Sequence, residues 1–184
     1  MTYTAGNEMV NAKLIFEKAQ LRPSMHIADF GCGRTGHLVF SSAALLGEQG
    51  VVYAIDILKD ILTEIKKRSE LNNQLTIHPV WADVEQIGAC SIPEHSLDVI
   101  FMVNVLVQTK DVLSVLQEGA RLLKDKGRII VVDWQTKGLA FSPNDLHHVD
   151  FTQITHWAKQ NNFLVQEKFV AGRYHKGLVL YRHV

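Results

Sequence analysis

Apolar positions along the chain fall into two kinds of run that take turns. Unbroken stretches rich in Val and Ile occupy 26–30, 51–56, 75–80, 97–103 and 127–133, and each has the length of a strand. Between them, at 36–47, 58–71 and 111–123, apolar residues recur every three or four positions, as on one face of a helix. A strand that is apolar throughout is buried on both faces, which is the habit of parallel strands covered by helices. Strict strand–helix alternation implies right-handed crossovers and helices on both sides of one sheet. A further helical stretch, roughly 8–20, precedes the first strand. After residue 133 the alternation stops: 134–150 is polar and mixed, with Gly138, Pro143, Asn144 and the pair His147-His148. A short helix at 151–162 then leads to strands at 163–170 and 176–182. Their link, 171–175, is too short for a crossover helix, so this last pair must be antiparallel. The expected fold class is α/β, a seven-stranded, mostly parallel sheet with an antiparallel C-terminal pair, in one domain spanning 1–184.

The most telling local pattern lies where the first strand ends. Residues 27–36 read Ile-Ala-Asp-Phe-Gly-Cys-Gly-Arg-Thr-Gly, so Gly31, Gly33 and Gly36 form a Gly-x-Gly-x-x-Gly turn entering a helix. Glycines are needed where the chain turns sharply and where backbone must lie against a ligand. The second strand ends in Asp56 and the third is followed by Asp83, so three strands in succession carry an acid where they stop. In a parallel sheet these ends share one edge, the edge at which ligands bind. An Asp after a strand also serves simply to cap the next helix; three of them in register with a glycine loop point instead to a ligand. Asp56 falls where a ribose-binding acid belongs, since a carboxylate accepts from both ribose hydroxyls. Asp29, two residues before Gly31, suits a ligand carrying an ammonium group. A nicotinamide oxidoreductase is disfavoured by that acid and by the antiparallel ending.

Composition narrows the partners. The 184 residues suffice for one domain with a sizeable core, and 47% hydrophobic with 21% charged is ordinary for a globular enzyme. Lys plus Arg and Asp plus Glu each number 19, with no basic stripe of the kind that nucleic acids demand, so no nucleic-acid partner is expected. Two cysteines, Cys32 in the glycine turn and Cys90 in a later loop, argue against a disulfide framework and for a reducing, cytoplasmic setting. No Cys/His spacing matches a metal site. Apolar runs are strand-length and the first residues lack a basic segment with an apolar core, so neither a membrane span nor a signal is expected.

The run Asp29–Gly36 with Asp56 and Asp83 resembles the first three motifs of the class I S-adenosylmethionine-dependent methyltransferases, and the resemblance covers nearly the whole chain. Residues 97–104 look like that family's fourth strand, 112–123 like the next helix, and 127–132 like the fifth strand. The resemblance implies a Rossmann-like sheet and S-adenosylmethionine as cofactor. By it Asp29, Gly31, Cys32, Gly33 and Gly36 surround the methionine end, Asp56 holds the ribose, Ile57 packs on the adenine, and Asp83 with the Val84 backbone reads the adenine edge. Asn104 sits beside the methionine and the reacting sulfonium. The chain departs from the commonest turn, Gly-x-Gly-x-Gly, because Arg34 lengthens it by one residue.

The acceptor is less legible. Asn104-Val105-Leu106-Val107 lacks the Pro-Pro-aromatic continuation that resembles base- and glutamine-modifying members, and a small-molecule acceptor of the ubiquinone-pathway-like kind remains. Segments free to form its pocket are the N-terminal stretch, 104–109, 134–150 with Trp134 and Phe141, and the turn around Tyr174 and His175. His147, His148 and His175 are candidate bases because imidazole titrates near neutrality, although nine histidines leave most for ordinary duty. The rival reading is a non-catalytic adenosylmethionine-binding or protein-interaction domain whose site a partner protein, or a second copy in a homodimer, would complete.

Overall fold

A computed structural model of the chain describes residues 10–134 and 149–183. Its elements are α1 (Ala12–Ala19), β1 (His26–Phe30), α2 (His37–Leu46), β2 (Val51–Asp56), α3 (Lys59–Leu71), β3 (Ile77–Trp81), β4 (Leu97–Val103), α4 (Val112–Leu122), β5 (Leu123–Trp134), α5 (Phe151–Gln160), β6 (Phe163–Gly172) and β7 (His175–Arg182), with a 3-10 turn at Leu106–Gln108. The seven strands form one sheet in the order β3-β2-β1-β4-β5-β7-β6. Pairings from β3 through β5 are parallel, and β7 runs antiparallel to both β5 and β6. Among the described residues no helix is long and apolar enough to cross a membrane.

Side-chain alternation sorts each apolar strand into two cores. Ala28, Phe30, Ile100, Met102, Ile129, Val131, Leu178 and Leu180 face α4 and α5, where Val115, Leu116, Ile154 and Trp157 meet them. The intervening residues Ile27, Val52, Ala54, Val99, Phe101, Ile130, Val132 and Val179 face α1, α2 and α3. Neither face of the central strands reaches water, which is why their sequences carry no polar alternation. Helix starts are set by side-chain caps: Asn11 accepts from the Leu14 amide, Asp111 from those of Leu113 and Ser114, and Asp150 from that of Thr152.

Several boundaries differ from the sequence reading, each for a local reason. Strand β5 begins at Leu123, not 127, because Leu123 pairs with Leu97 before the chain makes an excursion through the polar 124–127 and resumes with Arg128 opposite Val99. Lys126 turns there at φ +62°. The third strand runs 77–81, with Leu75 exposed in the preceding loop and Pro79 tolerated because β3 is an edge strand. The last two strands extend to Gly172 and His175, so their link is only Arg173 and Tyr174. The first helix starts at Ala12; residues 1–9 lie outside the described residues, as do Gly138, Phe141, Pro143, Asn144, His147 and His148.

One carboxylate holds the loop between β3 and β4 to α4. Glu118 is fully buried and accepts from the amides of Gly88 at 2.7 Å and Cys90 at 3.1 Å, and from Arg121 Nε at 2.8 Å and Nη2 at 2.7 Å. Burial acts to raise its pKa, but the bonds from Arg121 and the two amides outweigh that and hold the carboxyl below its ordinary value. Removing one partner of such a buried cluster is costly because the others are left unpaired. Glu118→Ala should therefore lower the free energy of unfolding by about 3–5 kcal/mol in urea titration; a change within experimental error would show that the loop is held by other means.

Candidate functional site

Parallel register brings the strand ends to one edge. Asp29 of β1 pairs beside Ala54 of β2 and Phe101 of β4, so the turn that follows lies between the ends of both neighbours. The amides of Gly31 and Cys32 both donate to the Ile55 carbonyl at 2.9 Å, fastening the turn to β2. Gly31 (φ +70°) and Gly36 (φ +55°) are required: a Cβ on the first would lie 2.7 Å from Val105 Cγ2 and on the second 2.5 Å from Ile65 Cδ1. Gly33, at φ +62°, faces open space.

Asp56 joins this turn to the start of α3. Its Oδ2 accepts from the Gly33 amide at 3.1 Å and its Oδ1 from the Leu58 amide at 3.0 Å. Each oxygen keeps a further lone pair for a ligand hydroxyl. The extra residue of the turn, Arg34, points outward to Asp60, and Arg68 donates to the Arg34 and Thr35 carbonyls at 3.2 and 2.8 Å while lying over the Phe40 ring. Lengthening the turn is thus absorbed on the side away from the cleft.

Two adjoining cavities meet at Gly31. The larger, about 330 Å³, is lined by Gly33, Asp56, Ile57, Asp83 and Val84 on one side and by Val105, Gln108 and Thr109 on the other. Exposed Ile57 forms part of its wall; the Trp81 indole donates to the Ile57 carbonyl at 2.9 Å, and Lys59 lies over that ring. The smaller, about 120 Å³, is lined by Val10, Asp29, Cys32, Thr35, His37, Val103 and Asn104. The predicted residues therefore divide between two cavities, Gly33, Asp56, Ile57, Asp83 and Val84 at the larger and Asp29, Cys32 and Asn104 at the smaller, with Gly31 at both and Gly36 at neither. Asp83 also serves its own loop, accepting from the Glu85 amide and from Gln86 Nε2, both at 3.0 Å.

The smaller cavity has unusual electrostatics. Asp29 is 4% exposed, and no side-chain hydrogen bond to it occurs among the described residues. Burial, aided by the charge of Asp56, raises its pKa to about 8, so its carboxyl holds a proton near neutrality until a cation arrives. Cys32 is buried and its thiol is driven up by the same burial and by both acids, which makes it a wall and not a nucleophile.

The histidines fare differently from expectation. His147 and His148 lie outside the described residues. His175 is not in an open turn: it is the first residue of β7, fully buried, packed against the Trp134 ring at 4.5 Å with the planes tilted by 44°, and bonded through Nε2 to Asn104 Oδ1 at 2.9 Å. Burial lowers its pKa to about 4, so it stays neutral and is no solvent-accessible base. Sequence reading passed over His37, which opens α2 and lines the small cavity with Nε2 buried and without a hydrogen-bond partner. Its signal was available: an imidazolium is disfavoured at a helix N-terminus, so a histidine directly after Gly36 reads as a neutral one. Glu85, also missed, accepts from the Lys110 and Asp111 amides at 2.8 Å and ties the loop after β3 to the start of α4. Asp133, buried at the end of β5, accepts from the Val107 and Trp134 amides and is raised to about 6 by its burial.

A family model described as a methyltransferase domain matches residues 21–175. Aklanonic acid methyltransferase of Streptomyces sp. (strain C5) is 30% identical over 103 residues, 56% of this chain and 45% of that protein. The ubiquinone/menaquinone biosynthesis C-methyltransferase of Shewanella frigidimarina (strain NCIMB 400) is 29% identical over 124 residues, 65% of this chain and 47% of that protein. The chain thus spans less than half the length of either curated relative. A SAM-dependent methyltransferase from Aquifex aeolicus superposes with a TM-score of 0.83 over 95% of this chain and 91% of that one, at 19% identity, a likeness of fold.

The state of Asp29 can be read from stability. Its folded pKa of about 8 lies above the ordinary 3.8, so the native state keeps a proton that the unfolded chain has lost. The associated stability is fully present below pH 3.8 and is lost as pH rises through 8. Asp29→Asn, which cannot titrate, should gain on the wild type steadily between about pH 4 and pH 8 in denaturant unfolding. A difference independent of pH over that range would show an ordinary, ionised carboxylate.

Proposed function

The chain belongs to the methyltransferase-domain family, and we propose that it transfers a methyl group from S-adenosylmethionine to a small-molecule acceptor. The reading is supported by one observation: a buried carboxyl that accepts no side-chain hydrogen bond among the described residues, Asp29, opens onto the same cleft as Asp56. A zwitterionic amino-acid end and a ribose joined in one molecule answer both. The glycine backbone leaves room for a ligand at Gly33, and Ile57 with Val84 offers an apolar and backbone surface for a base.

When bound, this cofactor supplies an electrophilic methyl with a good leaving group. The chain's own residues are left to align the acceptor and keep water out, and alignment alone can contribute several kcal/mol, about 7–11 in favourable cases. A base is needed only where the acceptor must lose a proton. A small-molecule acceptor is supported by the absence of any net charge in the sequence and by the two curated relatives, whose names specify aklanonic acid and ubiquinone/menaquinone biosynthesis.

Calorimetric titration tests the cofactor directly. S-adenosylmethionine and S-adenosylhomocysteine should bind, NADH should not, and Asp56→Ala should weaken both by about tenfold or more, as expected for loss of charge-assisted hydrogen bonds. At pH 7 binding should also release a proton, up to one per site, because the ligand ammonium draws Asp29 to its ionised form; Asp29→Asn should abolish that release. Binding of NADH in place of the adenosylmethionine pair would sink the proposal.

A further inference from the structure

Besides the slightly exposed carboxyl of Asp29, two side-chain polar atoms among the described residues are sealed from solvent with no hydrogen-bond partner: His37 Nε2, in the small cavity, and His175 Nδ1, behind it. His175 comes from β7, remote in sequence from every residue of the glycine turn, yet it touches Asn104, a wall of the cavity that holds Asp29. From that contact we infer that His175 is a positioning residue: it fixes the Asn104 amide so that Asn104 Nδ2 is presented to the cavity as a donor, opposite the acceptor Asp29. The inference rests on the proposed cofactor and assigns the two walls that would read the two charges of its amino-acid end.

A neutral imidazole has one donor nitrogen and one acceptor nitrogen. Nε2 meets Asn104 at 2.9 Å, and Nδ1 meets nothing. If Nε2 carries the proton, it donates to Asn104 Oδ1 and the orphan at Nδ1 is a lone pair. If the amide were turned, Nδ2 would donate to Nε2 and the orphan would be a buried N–H. Unpaired buried acceptors are tolerated better than unpaired buried donors, so the first arrangement holds. The Trp134 ring packs against the imidazole at 4.5 Å, tilted by 44°, and limits its movement.

Asn104 is itself over-determined. It sits at φ +56°, its amide donates to the Val132 carbonyl at 2.9 Å, and its carbonyl accepts from Gln108 Nε2 at 2.7 Å. With Oδ1 taken by His175, only Nδ2 is left, and it offers two N–H groups on the cavity side. An ammonium has donors alone and matches Asp29; a carboxylate has acceptors alone and matches Asn104 Nδ2. A ligand lacking the amino-acid end should be indifferent to the pair.

The probes are S-adenosylhomocysteine, which has that end, and 5′-methylthioadenosine, which lacks it, titrated into the full chain by calorimetry. Asn104→Ala and His175→Ala should each weaken S-adenosylhomocysteine by about tenfold, the size expected for one hydrogen bond to a charged group, and leave 5′-methylthioadenosine within twofold. The double variant should be no worse than either single, since both remove the same donor. His175→Gln, whose amide still donates to Asn104 Oδ1, should retain most of the affinity and guards against a packing defect in His175→Ala. Nitrogen-15 spectra of the wild type should show His175 neutral with the proton on Nε2 between pH 6 and 8. Additive losses, equal losses for both probes, or a proton on Nδ1 would each overturn the assignment. Failure of the wild type to bind either probe would instead remove the cofactor reading on which it stands.

Discussion

The edge at which the strands end is arranged around a carboxyl that is buried with no hydrogen-bond donor to it among the described residues. Asp29 is next to last in a strand whose two neighbours are parallel and in register, so its backbone is committed to the sheet while it lines a small cavity with the start of α2 and Asn104. Placing an acid there works against stability near neutral pH, because desolvation favours the protonated form. Such a cost is characteristic of sites where a ligand supplies the missing charge. The rest of the edge is arranged around it: Ile55 fastens the turn, Asp56 joins the turn to α3, and Glu85 and Gln108 close the far side.

The two walls of the cleft are stabilised by different means. On the glycine side, backbone amides converge on fixed acceptors, and Cβ atoms are excluded where Val105 and Ile65 press against the turn. On the β4 side the chain is held by buried side chains: Asp133 accepts from the Val107 amide, and His175 bonds Asn104. Both of those residues belong to the C-terminal half of the sheet. The antiparallel pair therefore does more than complete the sheet; through Trp134 and His175 it reaches the wall that faces the glycine turn.

Legibility in the sequence followed the range of the interactions involved. The strands and helices were readable because burial on both faces leaves an unbroken apolar run, and the glycine turn was readable because its conformational demands are local. The strand-end acids Asp29 and Asp56 followed from the same register argument. Boundaries failed where pairing, not composition, decides them, as at Leu123, whose partner Leu97 is distant in sequence, and at the two-residue turn Arg173-Tyr174. His175 was read as a candidate base in the turn between the last two strands because imidazole titrates near neutrality; its burial is created by β5 and Trp134, which no local pattern announces. Glu118 was invisible for the same reason, since the amides it accepts from lie about thirty residues away. His37 had a local signal in its place after Gly36, but the cavity it lines is assembled from three separate segments, at Val10, 29–38 and 103–104.

The contrast between Asp83 and Asp56 shows where a pattern of acids stops being evidence for a ligand. Both follow strands, and both accept two hydrogen bonds. Asp83 receives its bonds from Glu85 and Gln86, within its own loop, so its carboxylate is accounted for by turn formation even though it borders the cavity. Asp56 receives one from the glycine turn, at Gly33, and one from Leu58 at the start of α3, which makes it the join between two segments that border the larger cavity. Asp29 receives none among the described residues. The three acids thus form a series, from one satisfied by its own loop, through one shared between loops, to one left for a cation. That ordering, more than the recurrence of Asp itself, supports the proposed orientation, with the polar end of the ligand at β1 and its ring system towards β3.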